Sequence, residues 1–397
     1  MQPVTCGSIA HKLELKSCIL ISEWIAMLLR RQASNLRVIS KQLSSIDRYP
    51  AHHCHSSRFL SNSSHTTRSG PHPQGLIFKS GTVLSPRRGE LGSRSLNAMA
   101  APTSLTEAVV AAMKTLFPEE LADKAWDNTG LLLGEAPPSS TSKAPSSSGG
   151  TVLLTNDLTA AVVDEALAEG AKMIICYHPV IFRPLKSLTT KDPMQTLLLR
   201  LAAERVSVYC PHTAMDAASG GLNDWLCDIV LADDAQVARS VVQPIARPLP
   251  EGHQGTGYGR TVQLSQPVTL ATLLKRLSAG LGGQRYVMVA LPPSLRDLAE
   301  VATVAVCAGS GADILKDTDA QVLVTGEMAH HYALAHTQRG QVVVTVFHSN
   351  SERKYLEKRL KPMLDVELET TAYADTRVVV SKADRDPFEV IDVQQLA

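Results

Sequence analysis

The sequence has few aromatic residues, almost no net charge and no long apolar run, and each deficit excludes a class of function. Aromatic residues make up 4% of the 397 residues, too few for a platform on which single-stranded nucleic acid stacks. Lys and Arg number 39 against 38 Asp and Glu, so no global basic field favours direct binding to nucleic acid. The best candidate for a membrane span, residues 18–29, is short and carries Glu23, and we therefore predict no membrane-spanning helix.

The seven cysteines also lack a pattern, because none of them forms a CxxC pair. Four of them lie in apolar segments of the later chain, namely Cys176, Cys210, Cys227 and Cys307. This usage predicts reduced, buried thiols in an intracellular protein rather than a disulfide framework. The length, with 44% apolar residues, is enough for the large cores of two or three domains.

The N-terminal region differs in composition from the rest of the chain. Residues 30–98 hold eleven Lys or Arg, and their only acidic residues are Asp47 and Glu90. Such a basic, Ser-rich and acid-poor stretch resembles a mitochondrial or plastid presequence. The alternative is that the natural start is Met99, or that the upstream part is a disordered tail. We therefore predict that residues 1–98 are an extension outside the fold, and that the protein is mitochondrial or cytoplasmic.

From Met99 onward, apolar strand patterns alternate with helix patterns. The strand pattern TVLLTND is followed by the helix pattern LTAAVVDEALAEG and by the apolar strand pattern KMIICYH. This order predicts an α/β fold with two halves and mixed, largely parallel sheets. The predicted divisions are a first half (99–242) that contains a flexible Pro- and Ser-rich loop (137–150), a connecting region (243–300) and a second half (301–397).

Three of the predicted strands end in histidine, at His178, His212 and His348. In open α/β sheets, ligands bind beyond the carboxyl ends of the strands. Asp216 follows His212 by four residues, and Glu352 follows His348 by four residues, a spacing that can bring both side chains to one face. Imidazole and carboxylate donors without thiolates suit divalent Zn, Fe, Mn, Co or Ni.

Each of these residues also has a purely structural interpretation. Glu352 ends the string SNSE, which is a good helix capping box. His178 could donate to a backbone carbonyl at the strand end, Asp216 could form an Asx turn, and His212 could merely orient Asp216. The Gly-rich string CAGSGAD (307–313) is typical of a tight turn, and a contact with a phosphate is the alternative.

Seven strings between Trp126 and Arg353 together resemble a known family. They are WDNTGLLLG, YHPVIFRPLKSLT, SVYCPHTAMDAASGGLNDWL, GTGYGR, CAGSGAD, VTGEMAHH and FHSNSER. In this order they closely resemble the NIF-three-like family, whose members are also described as GTP cyclohydrolase I type 2 homologues. The resemblance covers essentially all of residues 99–390 and none of residues 1–98.

The resemblance implies a metal site between two α/β halves and a toroidal homohexamer. It implies two divalent metal ions, with His178, Asp216, His348 and Glu352 as their ligands. One position departs from the family pattern, because Tyr177 stands where many bacterial members have histidine. A neutral phenol, whose pKa is ordinarily about 10, is a poor metal ligand. One ion therefore lacks a ligand, unless His330 or His331 replaces it.

The resemblance further implies a metal-dependent hydrolase that acts on a nucleotide or a related heterocycle. In that role His212 is the candidate catalytic residue, as a proton shuttle. The alternative is a non-catalytic, metal-binding scaffold or regulatory protein that interacts with a transcriptional coactivator. A metal-dependent phosphoesterase is a third possibility.

Overall fold

A computed structural model gives the fold for most of the chain that follows the N-terminal extension. The described residues fall in four ranges: 102–135, 149–232, 237–293 and 300–395. The predictions for residues 1–98, and most of those for the loop 137–150, lie outside these ranges. No helix in the described ranges is both long enough and apolar enough to cross a bilayer.

The first sheet has five strands: Gly130–Leu133 (β1), Thr151–Thr155 (β2), Ala171–Cys176 (β3), Ser207–Cys210 (β4) and Arg377–Val380 (β11). Their spatial order is β1-β4-β3-β2-β11. The pairs β4–β3, β3–β2 and β2–β11 are parallel, and β1 lies antiparallel to β4 at one edge.

The second sheet has six strands: Arg239–Pro244 (β5), Gly257–Thr269 (β6), Met288–Ala290 (β7), Glu300–Cys307 (β8), Val322–Thr325 (β9) and Val342–Thr345 (β10). Their order is β5-β6-β8-β9-β10-β7. The central pairs β8–β9 and β9–β10 are parallel, and the outer pairs are antiparallel. The predicted fold class, α/β with two mixed sheets, is confirmed.

Ten α-helices lie in the described ranges: Leu105–Leu116 (α1), Ala160–Ala168 (α2), Pro193–Ala203 (α3), His212–Ala217 (α4), Leu222–Leu231 (α5), Leu270–Gly280 (α6), Ala312–Leu315 (α7), His330–Gln338 (α8), Arg353–Tyr355 (α9) and Lys361–Glu369 (α10). A π-helical segment, Leu356–Leu360, joins α9 to α10. Pro362 lies in the first turn of α10 and has no N–H for the carbonyl of Lys358. The helix predicted from Ser349 is therefore interrupted.

Alternate residues of the central strands pack on opposite faces of each sheet, as the pleat requires. Val152 and Leu154 of β2 belong to the largest apolar cluster, together with Val304 and Val306 of β8 and residues of α1, α5, α6 and α10. Leu153 instead packs with α2 and α3 on the outer face of the first sheet. The helices of the largest cluster therefore lie between the two sheets and share one core with both.

Sheet membership does not follow the predicted halves. β5 begins at Arg239, inside the range assigned to the first half, yet it pairs in the second sheet. β11 falls in the range assigned to the second half, yet it pairs with β2 of the first sheet. Strand pairing between distant segments depends on tertiary packing, so the local apolar pattern does not predict which strands pair.

A buried arginine connects the second sheet to the helices beside the first. Arg260 on β6 is 3% exposed, and its Nε lies 2.7 Å from Oδ1 of Asp224 on α5. Its other N–H groups donate to the backbone carbonyls of Gly257, Gly259, Ala217 and Ala218. A guanidinium can supply all of these donors at once, whereas a lysine ammonium cannot. This contact fixes the end of α4, the helix that carries Asp216.

We expect Arg260→Met to lower the free energy of unfolding by about 3–5 kcal/mol, because it leaves the Asp224 carboxylate buried without its partner. Urea denaturation measures this change. The matched control is Arg200→Met, which breaks the exposed Arg200–Asp164 pair and should cost less than about 1 kcal/mol. Equal effects of the two substitutions would show that Arg260 does not stabilise this junction.

Candidate metal centre

Two histidines from different sheets meet at the carboxyl ends of their strands. His178 follows β3 of the first sheet, and His348 follows β10 of the second. Their Nε2 atoms are 3.3 Å apart, and their ring centroids are 5.2 Å apart. The two histidines thus meet between the facing edges of the two sheets, as the family resemblance implied for the site.

Glu352 lies against both imidazoles and is almost fully buried, at 2% exposure. Its Oε2 is 3.5 Å from His178 Nε2, and its Oε1 is 3.4 Å from His348 Nε2. The alternative interpretation as a capping box is wrong, because the Glu352 N–H donates to the Ser349 carbonyl rather than to the Ser349 hydroxyl. Asn156 donates its side-chain amide to Glu352 over 3.1 Å. The buried carboxylate thus faces the two ring nitrogens.

A carboxylate orients each ring from its far side. His178 Nδ1 is 2.8 Å from Asp157 Oδ1, and His348 Nδ1 is 3.0 Å from Glu327 Oε1. A carboxylate can only accept a hydrogen bond, so each Nδ1 carries the proton and each Nε2 keeps its lone pair. Carboxylates in this position behind metal-binding histidines fix the tautomer and raise the basicity of the ligand. Both free lone pairs point to the space beside Glu352.

The three donors fit a single metal ion. His178, His348 and Glu352 each offer a ligand atom, and these atoms all lie within 4.8 Å of one another. Ligand atoms of a tetrahedral site with bonds of about 2.0–2.1 Å are separated by about 3.3 Å. The two Nε2 atoms are separated by this distance, 3.3 Å, and each faces a different oxygen of Glu352. Gly309 closes the site, because a Cβ on it would lie 2.7 Å from Glu352 Oε1 and 3.2 Å from His348 Nε2. These residues therefore form a cluster that can hold a metal.

Asp216 lies in the wall of the same cavity, but it is engaged by a phenol. The Tyr177 hydroxyl donates to Asp216 Oδ1 over 2.7 Å. Burial raises the pKa of Asp216 to about 6. The structural alternative for Asp216 was an Asx turn. The carboxylate instead accepts from Tyr177, which follows the end of β3. The role of Asp216 as a metal ligand stays a prediction.

The inner and outer carboxylates differ in their electrostatics. Burial raises the pKa of Glu352 well above its ordinary value, and the negative charges of Asp216 and Asp157 add to this effect. Burial is the largest single effect on Asp157 and opposes its ionisation, but the hydrogen bond and charge of His178, together with Asn156 and Arg353, lower its pKa. Hydrogen bonds from Ser310 and then from His348 lower the pKa of Glu327. The outer carboxylates thus favour the charged form, whereas burial disfavours the charged form of Glu352 and Asp216.

His212 begins α4 in a left-handed backbone conformation, with φ of +31°. Its Nδ1 is 2.6 Å from Asp127 Oδ1, and Asp127 also accepts from the backbone N–H and the hydroxyl of Thr213. The partner of His212 is therefore Asp127, not Asp216 as the structural interpretation proposed. The ring stands 5.4 Å from the Tyr177 ring and 5.6 Å from the His178 ring, between centroids. His212 thus lies beside the cluster, and its contact with Asp127 uses Nδ1 and not Nε2.

The cluster opens into a cavity of about 1180 Å³. Its wall includes His178, His212, Asp216, His348 and Glu352. Trp126 and Phe182 also line it, at 51% and 46% exposure. Their ring centroids are 5.8 Å apart, and the Trp126 ring lies 5.7 Å from that of His212. A pocket of this size, with a few convergent polar groups and exposed aromatic rings, is typical of a small-molecule site.

Other predicted candidates lie away from the cluster. His330 and His331 are exposed at the start of α8, and neither lines the cavity, so they do not replace the missing histidine. Cys176 and Cys210 are free and buried, and burial raises the pKa of both thiols well above the ordinary value. They are inert core residues, as expected.

The sequence interpretation missed three carboxylates that orient the histidines. Asp157 stands two residues after β2, and Glu327 stands two residues after β9. Asp127 lies in the loop before β1. The first two follow parallel strands adjacent to the histidine-bearing strands, so the rule that placed the histidines at strand ends could have found them. No comparable signal marks Asp127.

Comparisons with known proteins show the family to which this chain is related. The family model described as Duf34/NIF3 (NGG1p interacting factor 3) matches residues 105–387. Protein NIF3 homolog of Schizosaccharomyces pombe is 40% identical over 277 residues, which cover 70% of this chain and 94% of that protein. NGG1-interacting factor 3 of Saccharomyces cerevisiae is 37% identical over 287 residues, which cover 71% of this chain and 96% of that protein.

Solved structures support the same fold. The Bacillus cereus protein related to NIF3 matches with a TM-score of 0.58 at 19% identity, over 73% of this chain and all of that chain (100%). Reduced HcgD from Methanocaldococcus jannaschii matches with a TM-score of 0.52 at 21% identity, over 69% of this chain and 96% of that one. At these identities the likeness concerns the fold alone. The family model and the fungal relatives, which span nearly their whole length, show that this chain belongs to the DUF34/NIF3 family.

Proposed function

We propose that this protein is a metal-dependent hydrolase that acts on a nucleotide or a related heterocycle. The observation that carries the proposal is the convergence of two imidazole Nε2 atoms and one buried carboxylate, those of His178, His348 and Glu352, in the wall of a large cavity. Two histidines and a glutamate are a donor set that catalytic zinc sites use while keeping a position open. Fe, Mn, Co and Ni accept the same donors. Asp216 lies in the same wall and is the remaining ligand of the two-ion arrangement that the resemblance implies.

The residues around the cluster suit the handling of protons. A divalent ion held there would supply Lewis acidity and lower the pKa of a nearby water. His212 donates from Nδ1 to Asp127, so its Nε2 is free to accept a proton and return it. Asp127 holds the ring in this tautomer and stabilises its protonated form. This is the proton-shuttle role that we propose for His212.

The aromatic rings at the cavity wall support a planar substrate. Trp126 is held in place, because its Nε1 donates to Asp123 Oδ2 over 3.0 Å. Phe182 lies next to Trp126. The side-chain amide of Asn128 donates to the backbone carbonyl of Ile181, the residue before Phe182. Flat aromatic side chains with open faces bind nucleobases by stacking. A heterocycle stacked here would lie beside His212.

We expect Glu352→Gln to weaken metal binding at least about 100-fold, beyond the 10–100-fold typical of residues that only orient a ligand. The substitution keeps the size of the side chain and its ability to accept from Asn156, so the fold should survive. Without metal, the variant should unfold at the same or a higher temperature, because a neutral amide costs less to bury than a carboxylate. Elemental analysis and thermal unfolding with and without Zn²⁺ measure both effects.

The control for this experiment is Glu357→Gln, in the π-helical segment that follows α9. Glu357 is 45% exposed and pairs with Lys354, away from the cavity. Its loss should change neither metal content nor the response to Zn²⁺. Unchanged metal content in Glu352→Gln would contradict the proposed site.

Trp126→Ala tests the proposed substrate class. Loss of one stacking face should cost about 1–3 kcal/mol of binding, roughly 5–150-fold in affinity, while the metal content stays unchanged. The measurement is the KM, or the Kd, for whichever compound an unbiased nucleotide screen that includes GTP identifies. Tyr286→Ala removes another exposed aromatic ring (49% exposed) outside the cavity wall and should leave binding unaffected. An unchanged affinity in Trp126→Ala would exclude stacking on this residue.

The second candidate function is a non-catalytic scaffold. It is supported by the name of the Saccharomyces cerevisiae relative, which describes that protein as an NGG1-interacting factor. In this case the metal would serve structure, and a transcription-related protein would be the partner. The homohexamer that the resemblance implies and the mitochondrial or cytoplasmic location stay predictions.

The Glu352→Gln variant discriminates between the two functions. An enzyme loses turnover in this variant and keeps its fold. A scaffold shows no turnover in any form of the protein, and its binding to a purified counterpart of NGG1 survives the substitution. Turnover that persists in the metal-free variant would contradict both functions, because a metal-dependent enzyme needs the metal and a scaffold has no turnover.

A further inference from the structure

Tyr177 occupies the place where the family resemblance implies a second histidine ligand. Within the metal-binding function proposed above, we infer that this chain binds a single metal ion, held by His178, His348 and Glu352, and that the Tyr177 phenol fills the position of a second ion. The resemblance predicted two ions. We infer one ion instead of two from the way the donor atoms are arranged around the two possible ion positions.

The two histidines are placed to share one ion. Each uses its Nδ1 on a carboxylate, so each offers only Nε2. These two nitrogens are 3.3 Å apart, the separation of about 3.3 Å expected for two ligands of one tetrahedral ion. Ions of a dinuclear pair are about 3.5–4 Å apart, so the shorter separation of the two nitrogens fits ligands of one ion better. His178 and His348 are therefore placed to bind the same ion.

The position beside Asp216 is short of donors. Asp216 offers a carboxylate, and His212 offers one nitrogen because its Nδ1 is taken by Asp127. Catalytic sites hold an ion with three protein ligands. The third group at this position is Tyr177, and its hydroxyl presents its proton to Asp216 Oδ1 over 2.7 Å. A hydroxyl donating to that carboxylate takes up a lone pair that an ion would use.

The phenol is fixed in this position by its surroundings. Tyr177 is 2% exposed, and its backbone N–H donates to the Thr155 carbonyl over 2.9 Å. Its ring packs against those of His178 and His212, with centroids 4.9 Å and 5.4 Å away. These contacts hold the phenol against Asp216 at the wall of the cavity.

The test is the number of ions that each purified chain retains. The full chain is stripped with a chelator, loaded with excess Mn²⁺, desalted and examined by elemental analysis and by electron paramagnetic resonance. We expect one ion per chain with the six-line signal of isolated Mn²⁺. Tyr177→His should bind two ions and show the signal of an exchange-coupled pair. Tyr177→Phe, which removes the hydroxyl but adds no ligand, should remain at one ion.

The outcomes separate this inference from the proposed function. Two coupled ions in the natural chain would overturn the inference and leave the metal-dependent function standing. One ion in a folded Tyr177→His variant would also overturn it, because the residue type would then not decide the number. No ion in any of the proteins would overturn the metal-binding function itself. If Tyr177→His fails to fold, the count and the signal in the natural chain still decide the question.

Discussion

The burial of one negative charge governs the architecture of this site. Glu352 sits at the junction of two sheets with 2% exposure, and burial of an uncompensated carboxylate is costly. The Asn156 amide donates to this carboxylate, and the two imidazole Nε2 atoms that face it carry lone pairs rather than protons. A proton on Glu352, whose pKa is raised by burial, or a bound cation therefore compensates the charge. The contact between the two sheets and the proposed metal site thus both depend on the burial of the Glu352 carboxylate.

The surrounding residues hold this arrangement before any ligand arrives. Asp157, Glu327 and Asp127 each bind the Nδ1 of one histidine. Two non-glycine residues next to the site have left-handed backbone: His212 with φ of +31° and Phe347 with φ of +68°. Backbone strain of this kind costs about 1–3 kcal/mol per residue and persists only where the surrounding packing enforces it. The fold itself therefore positions the donor atoms of the proposed metal site.

Membership of the DUF34/NIF3 family is established by sequence, but a fold does not by itself assign an activity. The argument for chemistry comes from the site: an accessible cavity, a donor set without thiolates, and a histidine with an uncommitted nitrogen beside it. A structural metal site is normally closed by four protein ligands. The cluster here has three convergent ligands facing a large cavity, which favours catalysis over a purely structural role.

The sequence by itself determined the α/β class, most strands and helices, the family and four candidate ligands, because apolar periodicity and strand-end residues are local signals. The sequence did not predict β5 and β7, because short edge strands show little apolar alternation. Only the tertiary structure decided that β11 joins the first sheet and that Asp216 is engaged by Tyr177 rather than by its own backbone. Such contacts join residues tens to hundreds of positions apart, and their distances follow from the packing of two sheets around a shared core, which no local pattern encodes.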